Sequence, residues 1–541
     1  MKRFRLTNTA KILIVIVVIL AILGGAFAAV KTGLVKTGKE SDTAKVETSS
    51  DNTETSENNN ASTTEETNVS NETDANSTSD LASTDNATIN LSLDEWIGWK
   101  SIIDAEANGY YEAEGIDVNI NVVNDATQSS NALIKGDLNA AGYTINRTAF
   151  LSNKFTEAGV DVIMPFITNY SNGGDGIIAK SSIQSVEDLV DAKIGCAEFS
   201  EAHTLILWFV DKSDLSQEDK DKIIDNIIFF STADEAANAF FAGQIDAAAT
   251  WEPYLSQAQA MTDAHVLFST ASSSSLVMDG IVFRKDFAEA HPDVVEKFIR
   301  ATLKASELYD TDFNAIREVM PMFSTSTDEE IIENTKNARL ATWKDNKDLL
   351  NGTAKTIYTD MCDIWESIGE TVNRNAVDTI FDDTYIDAIA DDFDSAETSI
   401  GSNTTVVTEE NEQEVLDAQA LLSKSASVNF IINTAKFSDS EAASQALDEF
   451  IEVAKVLDGT IIEIAGNTDP NPTSDPDDTY NKMLSEQRAE TVKKYFVMNG
   501  IDANRIITVG NGSSNPIAPN DTEENKALNR RTDVSFKIIE Q

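Results

Sequence analysis

Cysteine is all but missing from this chain of 541 residues: Cys196 and Cys362 are the only two, and they stand a domain's length apart. A disulfide framework needs more, and no cysteine spacing matches a zinc or redox motif. Both read as structural thiols. Histidine is as scarce, with only His203, His265 and His291, and none has a partner at metal-ligand spacing. No nucleophile elbow or phosphate-binding glycine loop is present. The sequence therefore argues against an enzyme, and no catalytic residue, cofactor or metal site is expected. Positive charge is short as well: 41 Lys and Arg face 91 Asp and Glu, for a formal net charge of −50. A surface this acidic repels phosphate backbones, which excludes nucleic acid as the main partner.

Long apolar runs are missing too, with one exception. Lys2, Arg3, Arg5 and Lys11 precede the run from Ile12 to Ala29. The positive flank stays in the cytoplasm, so the bulk of the chain is expected outside it, at the wall or in the periplasm. Eighteen residues at about 1.5 Å each reach about 27 Å, enough for a bilayer core. Residues 1–34 thus read as a single-pass membrane anchor, with cleavage after Ala26-Phe27-Ala28 as the alternative. No Cys follows the run, which speaks against a lipid-anchored start. Residues 35–88 are mostly Ser, Thr, Asn, Asp and Glu. Such a stretch buries too little to offset the entropy of ordering and reads as a disordered spacer, reaching on the order of 40 Å as a coil.

From Ala87 short apolar runs alternate with amphipathic stretches: ATINLSLD, IDVNINVV, LNAAGYT, VDVIMPFIT, KIGCAEF, IIFFST, IDAAATW, HVLFST and LVMDGIVFRK are separated by helical segments. This alternation predicts parallel α/β sheets. Two lobes joined by crossing strands are expected over residues 89–395, with a ligand between them beyond the strand ends. Residues 396–424 read as a second linker, and a compact unit fills 425–541.

Within the first unit, Asn108-Gly109-Tyr110-Tyr111 and Glu114-Gly115-Ile116-Asp117-Val118 are followed by Tyr170-Ser171-Asn172-Gly173-Gly174-Asp175, Gly243-Gln244-Ile245-Asp246-Ala247-Ala248 and Thr250-Trp251-Glu252-Pro253-Tyr254. In this order they resemble the sulfonate, taurine, nitrate and thiamine-precursor (NMT1/THI5-like) substrate-binding proteins. The resemblance implies a two-lobed periplasmic-binding-protein fold that captures a small molecule for an ABC permease. Candidate cleft residues are Trp96, Thr144, Gly173, Gly174, Asp175, Glu198, Ser200, Trp251, Glu252 and Asp279. Gly173-Gly174 lets backbone approach a ligand closely. Trp251 ends a strand where it can stack on a planar ligand, filling of the core being the alternative. Ser200 is placed to cap a helix. Asp94, Asp175, Glu198, Glu252 and Asp279 all fall at expected strand ends or adjoining loops, and several carboxylates there would disfavour a bare oxyanion and favour an amine, amino acid or heterocycle.

In the C-terminal unit, TIIEIA leads into Gly466-Asn467-Thr468-Asp469, then a helix through NKMLSEQRAETVKKYFVM, a glycine-bearing strand end and Asn529-Arg530-Arg531. This order is similar to OmpA-like peptidoglycan-binding domains, an α+β fold. The resemblance implies recognition of the diaminopimelate of the stem peptide, whose free end carries an ammonium and a carboxylate. Asp469 and Arg488 match the motif positions, and Asn481 with Arg530 or Arg531 would complete the site. Leu484, Arg488 and Val492 recur at i+4, so Arg488 shares the buried face of its helix. Asp469 as a purely structural partner of Arg488 is the alternative. The loop between Asp469 and Asn481 is longer than usual, and Asn467 replaces a common His. Together these readings give a tethered, wall-attached solute receptor; the alternative is a structural membrane-to-wall linker whose receptor lobes have lost their ligand.

Overall fold

The computed structural model describes residues 87–306, 312–393 and 405–539, apart from 427, 429, 432 and 471–476. The expected anchor at 1–34 lies outside those residues, as do the expected spacer of 35–88 up to residue 86 and most of the long loop after Asp469; the spacer's last residue, Thr88, already begins a strand. Among the described residues no helix is long and apolar enough to cross a membrane.

The strand and helix alternation builds two sheets. β1 (Thr88–Leu93), β2 (Asp117–Val122), β3 (Ala140–Thr144), β4 (Val162–Ile163) and β5 (Ile167–Ser171) start the first. The chain then crosses over and forms a second from β6 (Asp175–Lys180), β7 (Ile194–Ala197), β8 (Ile228–Phe230), β9 (Ala247–Trp251) and β10 (Ala264–Ser269). It returns through β11 (Met278–Arg284) and adds β12 (Ala338–Leu340). The first sheet runs β12-β5-β11-β3-β1-β2 with β4 beside β11, and the second runs β10-β6-β9-β7-β8. β1 is parallel to β2 and β3, whereas β11 is antiparallel to β3 and β5. The all-parallel expectation is corrected in this respect: strands that return across a lobe boundary enter from the opposite end. Helices cover both faces, which is why β3 (AAGYT) and β5 (ITNYS) are buried throughout and lack polar-apolar alternation.

The two crossings, residues 171–175 and 269–278, are tied by one side chain. Thr270 Oγ1 accepts the Gly173 N–H (2.9 Å), donates to Asp175 O (3.2 Å) and contacts Ser171 Oγ (2.7 Å). Gly174 lies so close to the Trp96 ring that a Cβ there would come within 2.5 Å of Cη2. The glycine pair thus serves the crossing itself.

The C-terminal unit holds β13 (Ala420–Ala426), β14 (Ile461–Asn467), β15 (Ile506–Gly512) and β16 (Thr532–Lys537) in the order β13-β16-β14-β15. The stretch 396–424, expected as a linker, is folded where described: it carries a helix over Glu412–Asp417 and the start of β13. Helix α3 (Ser440–Val456) precedes β14, and α4 (Thr479–Met498) links β14 to its parallel neighbour β15; α1 (Ile145–Ala158) and α2 (Glu201–Lys212) belong to the two-lobed part of the chain. The turn after α3 meets the second crossing. Asp458 accepts the Ser274 N–H at Oδ1 (2.8 Å) and its hydroxyl at Oδ2, and Gly459 N–H reaches Ser272 O (3.1 Å). Losing these two acceptors in Asp458→Ala is expected to cost about 1–2 kcal/mol, read as a lower thermal midpoint of the full-length protein. An unchanged midpoint would remove this contact from the fold's energetics.

Candidate functional site

The strand register delivers three side chains to one edge of the first sheet. Asp94 follows the end of β1, Thr144 ends β3, and Asp279, the second residue of β11, lies directly across from Thr144. They line a cavity of about 50 Å³ together with Trp99, Tyr143, Arg147 and Glu201. Asp175, the first residue of β6, sits on the second lobe opposite Trp251 in the β6–β9 ladder.

Hydrogen bonds order this cavity. Thr144 caps α1 by accepting the Arg147 N–H (2.9 Å) and gives its hydroxyl proton to Glu201 Oε1 (2.9 Å). Arg147 holds Glu201 with two parallel bonds, Nε to Oε1 (3.3 Å) and Nη2 to Oε2 (2.9 Å). Burial works to raise Glu201, but Arg147 overcomes it and holds the carboxyl below its usual range. Trp99 Nε1 donates to Asp94 Oδ1 (2.6 Å), and the Tyr143 hydroxyl bonds Ser129 Oγ (2.7 Å), which in turn bonds Ser92 Oγ (2.6 Å).

The remaining carboxyls lack such compensation. Asp94 is open to the cavity mouth yet walled by protein on its other sides; this desolvation raises it, the Trp99 bond opposes, and Glu201 raises it further. Burial pushes Asp175 up to about 7, against a hydrogen bond from Ser171 and with the charges of Glu201 and Asp94 adding. Asp279 is raised well above the carboxylate range by burial and by Asp94, Asp175 and Glu201. The Trp96 indole opposes this rise, and its N–H also donates to Asn169 Oδ1 at 2.9 Å.

The other cleft candidates stand further out. Ser200 caps α2 through the His203 N–H. Glu198 is exposed on the turn before it. Glu252 accepts from Ser256 at the start of the helix Tyr254–Gln259. Trp251 is 36% exposed. His203 is buried among Phe199, Phe229 and Trp365, and that burial lowers it to about 4.

In the C-terminal unit, Asp469 lies two residues beyond β14, and Arg530 Nη1 reaches its Oδ2 at 3.3 Å. Arg488 is 8% exposed on the inner face of α4. Its guanidinium lies over the Phe430 ring (4.9 Å to the centroid), and Nε donates to Thr434 O (3.2 Å). Burial and the nearby Arg530 lower Arg488, while Asp469 opposes. Asn481 donates to Asp478 Oδ1 (2.9 Å), and Asp478 also holds Ser513. Arg531 turns away: it binds Asp533 Oδ1 (2.8 Å) and Asn515 O (3.0 Å). Asn467 is likewise internal, bound to Asp533 and Asn511. Asp469, Arg488 and Arg530 thus form one cluster, and Arg531 belongs to the packing behind it.

Comparison with known proteins agrees with both halves. The family described as OmpA family matches residues 429–530, and the one described as NMT1/THI5 like matches residues 99–310. The chain joins an NMT1/THI5-like domain to a C-terminal OmpA domain. The OmpA domain is 47% identical over 92 residues to Outer membrane protein A of Bordetella avium, covering 17% of this chain and 45% of that protein. It is also similar to Peptidoglycan-binding protein ArfA of Mycobacterium bovis, 50% over 54 residues, or 10% of this chain and 17% of that one. This chain therefore spans under half the length of either relative. The two-lobed domain resembles the periplasmic aliphatic sulphonate binding protein SsuA from Escherichia coli, with a TM-score of 0.44 and 14% identity over 55% of this chain and 98% of that chain.

Three residues of the NMT1/THI5-like cavity escaped the sequence reading: Tyr143, Arg147 and Glu201. Arg147 and Glu201 each occupy the first turn of a helix after a strand. A charge there ordinarily answers the helix dipole or lies in solvent, so nothing in one sequence marks the two as partners. Phe430 was missed in the OmpA domain, where the surrounding sequence has no periodic pattern.

Proposed function

We propose that this protein is an exported solute receptor of an ABC-type uptake system, held at the membrane by its N-terminal segment and attached to peptidoglycan by its OmpA domain. The observation that carries the reading is the presence, in one chain, of a walled cavity between two lobes and a separate Asp469–Arg488–Arg530 cluster. The ligand expected in the cavity is a small amine, amino acid or heterocycle. At the cluster, the carboxylate of a diaminopimelate end would lie on Arg488, which can offer two parallel N–H groups, and the ammonium on Asp469. Arg530 would hold Asp469 in place. Among the described residues the groups at both sites are hydrogen-bond donors and acceptors, and binding is the proposed role of both.

The test is co-sedimentation of the full-length protein with purified sacculi, in the presence and absence of free diaminopimelate. Retention in the pellet, released by the competitor, is the expected result. Sedimentation that the competitor leaves unchanged would overturn stem-peptide recognition. If the wall is bound but no solute ever co-purifies or is taken up, the structural linker reading takes precedence.

A further inference from the structure

The NMT1/THI5-like domain carries an imbalance that its relatives' names do not suggest. Three carboxyl groups line the cavity, Asp94, Glu201 and Asp279, and Asp175 of the second lobe stands near enough for its charge to act on them. A single base lines the cavity, and Arg147 is already spent on Glu201 through two bonds. An incoming sulfonate or nitrate would find no free cation among the described lining residues and several repelling charges. Desolvated without a partner, an anion there is strongly disfavoured.

A second observation points to what would fit. Asp279 is 4% exposed and lines the cavity, yet the Trp96 indole, which lowers it, has a single N–H that also donates to Asn169. A buried carboxylate left short of donors is a site awaiting them. A metal ion is a poor candidate, because no three His, Cys, Asp or Glu side chains among the described residues converge on one point. The acids are spread around the cavity wall, so the donors must be spread as well. The volume sets the scale: about 50 Å³ takes roughly four water-sized atoms, the size of a planar guanidinium or amidinium group. Trp99 and Tyr143 supply aromatic wall beside it, which suits a delocalised cation.

We infer that the cavity receives the guanidinium, amidinium or ammonium head of a small organic cation, with Asp279 and Asp94 on one lobe and Asp175 on the other as its acceptors. This rests on the receptor reading above and narrows its ligand class. Closure would bring the second lobe's carboxylate onto a cation already seated on the first, so the ligand itself relieves the repulsion between lobes.

The experiment is isothermal titration of the full-length protein at pH 8 with methylguanidine, agmatine and 1,4-diaminobutane, then with taurine, ethanesulfonate and nitrate, then with Ca²⁺ alone. Saturable binding of at least one cation at one per chain, weakened tenfold or more in Asp279→Asn, is expected. The thermal midpoint of Asp279→Asn, measured alongside, shows that the variant folds. Binding of a sulfonate or nitrate in place of the cations would overturn the ligand class and leave the receptor reading standing. Binding of Ca²⁺ alone would replace the organic cation by a metal. Cation binding unchanged in Asp279→Asn would overturn the site, and uptake of no probe at all would overturn the receptor reading itself.

Discussion

Raising the pH from 6 to 8 is expected to tighten binding of the cation about tenfold, and to destabilise the empty protein over the same range. Both effects come from one group. Asp175, ordinarily near 3.8, is pushed up to about 7 in the folded, empty lobe. The groups facing it or its cavity are Asp94 after β1, Tyr143 on β3, Arg147 on α1, Glu201 on α2 and Asp279 on β11. A cation binds the ionised form, so at pH 6 most molecules must first lose a proton. At pH 8 most already have, which gives the factor of about ten. For the empty protein the direction reverses. A carboxyl whose folded value is raised holds its proton more tightly folded than unfolded, so it favours folding fully below about 4. That advantage is lost as the pH climbs through about 7, a difference on the order of 4 kcal/mol at most. Asp279 is raised in the same direction. Asp279→Asn removes a group whose ionisation is opposed by burial and by Asp94, Asp175 and Glu201, so it is expected to raise the thermal midpoint of the empty protein at the alkaline end of the range while weakening cation binding. The measurements are titrations at pH 6, 7 and 8 and thermal melts of both proteins. A midpoint that falls in the variant, or an affinity flat in pH, would show that these carboxyls hold the lobes together and wait for no ligand.

The order of strands and the two-lobed plan were legible because each lobe is built from short apolar runs separated by helices, a pattern that local chemistry already dictates. What the pattern does not carry is direction. Nothing in LVMDGIVFRK says that β11 enters its sheet antiparallel, yet that reversal is what sets Asp279 opposite Thr144. The cleft was legible at strand ends, where Thr144, Asp175 and Asp279 were placed, and also at Asp94. It failed for groups whose role depends on pairing across the chain. Arg147 and Glu201 lie 54 positions apart, and each alone is an ordinary first-turn charge. Glu198, Glu252 and Ser200 show the converse: their composition suits a binding loop, but local bonds take up Ser200 and Glu252 as helix caps. In the OmpA domain, the i+4 recurrence of Leu484, Arg488 and Val492 was enough to place Arg488 inward. Choosing between Arg530 and Arg531 was beyond it, since adjacent residues before a strand point to opposite sides.

Arg488→Met is expected to cost a hundredfold or more in affinity for sacculi while leaving the OmpA domain at least as stable, and Arg531→Met the reverse. Arg488 is buried, yet its neighbours are a ring face and one carbonyl; the ion pair at the cluster is between Asp469 and Arg530. A buried guanidinium without a close carboxylate costs the fold free energy. Methionine keeps the contact with Phe430 and removes that cost, so the melting midpoint is expected to hold or rise. Loss of a two-bond grip on a carboxylate is worth about 3 kcal/mol in binding, which is the hundredfold. Arg488→Lys retains the charge but offers no planar pair of donors, and is expected to lose about tenfold. Arg531 differs because its bonds are internal: Asp533 and Asn515 O would both lose their donor, and the Asp533 carboxylate would keep only weaker partners. That variant is expected to melt earlier, by about 2–3 kcal/mol, with wall affinity little changed where it remains folded. Sedimentation isotherms with purified sacculi and thermal melts on the same preparations decide the matter. If Arg488→Met unfolds the domain as Arg531→Met does, Arg488 is a packing residue that happens to lie beside Asp469. If instead it stays folded and stops binding, the guanidinium is held ready for a carboxylate that comes from outside the chain.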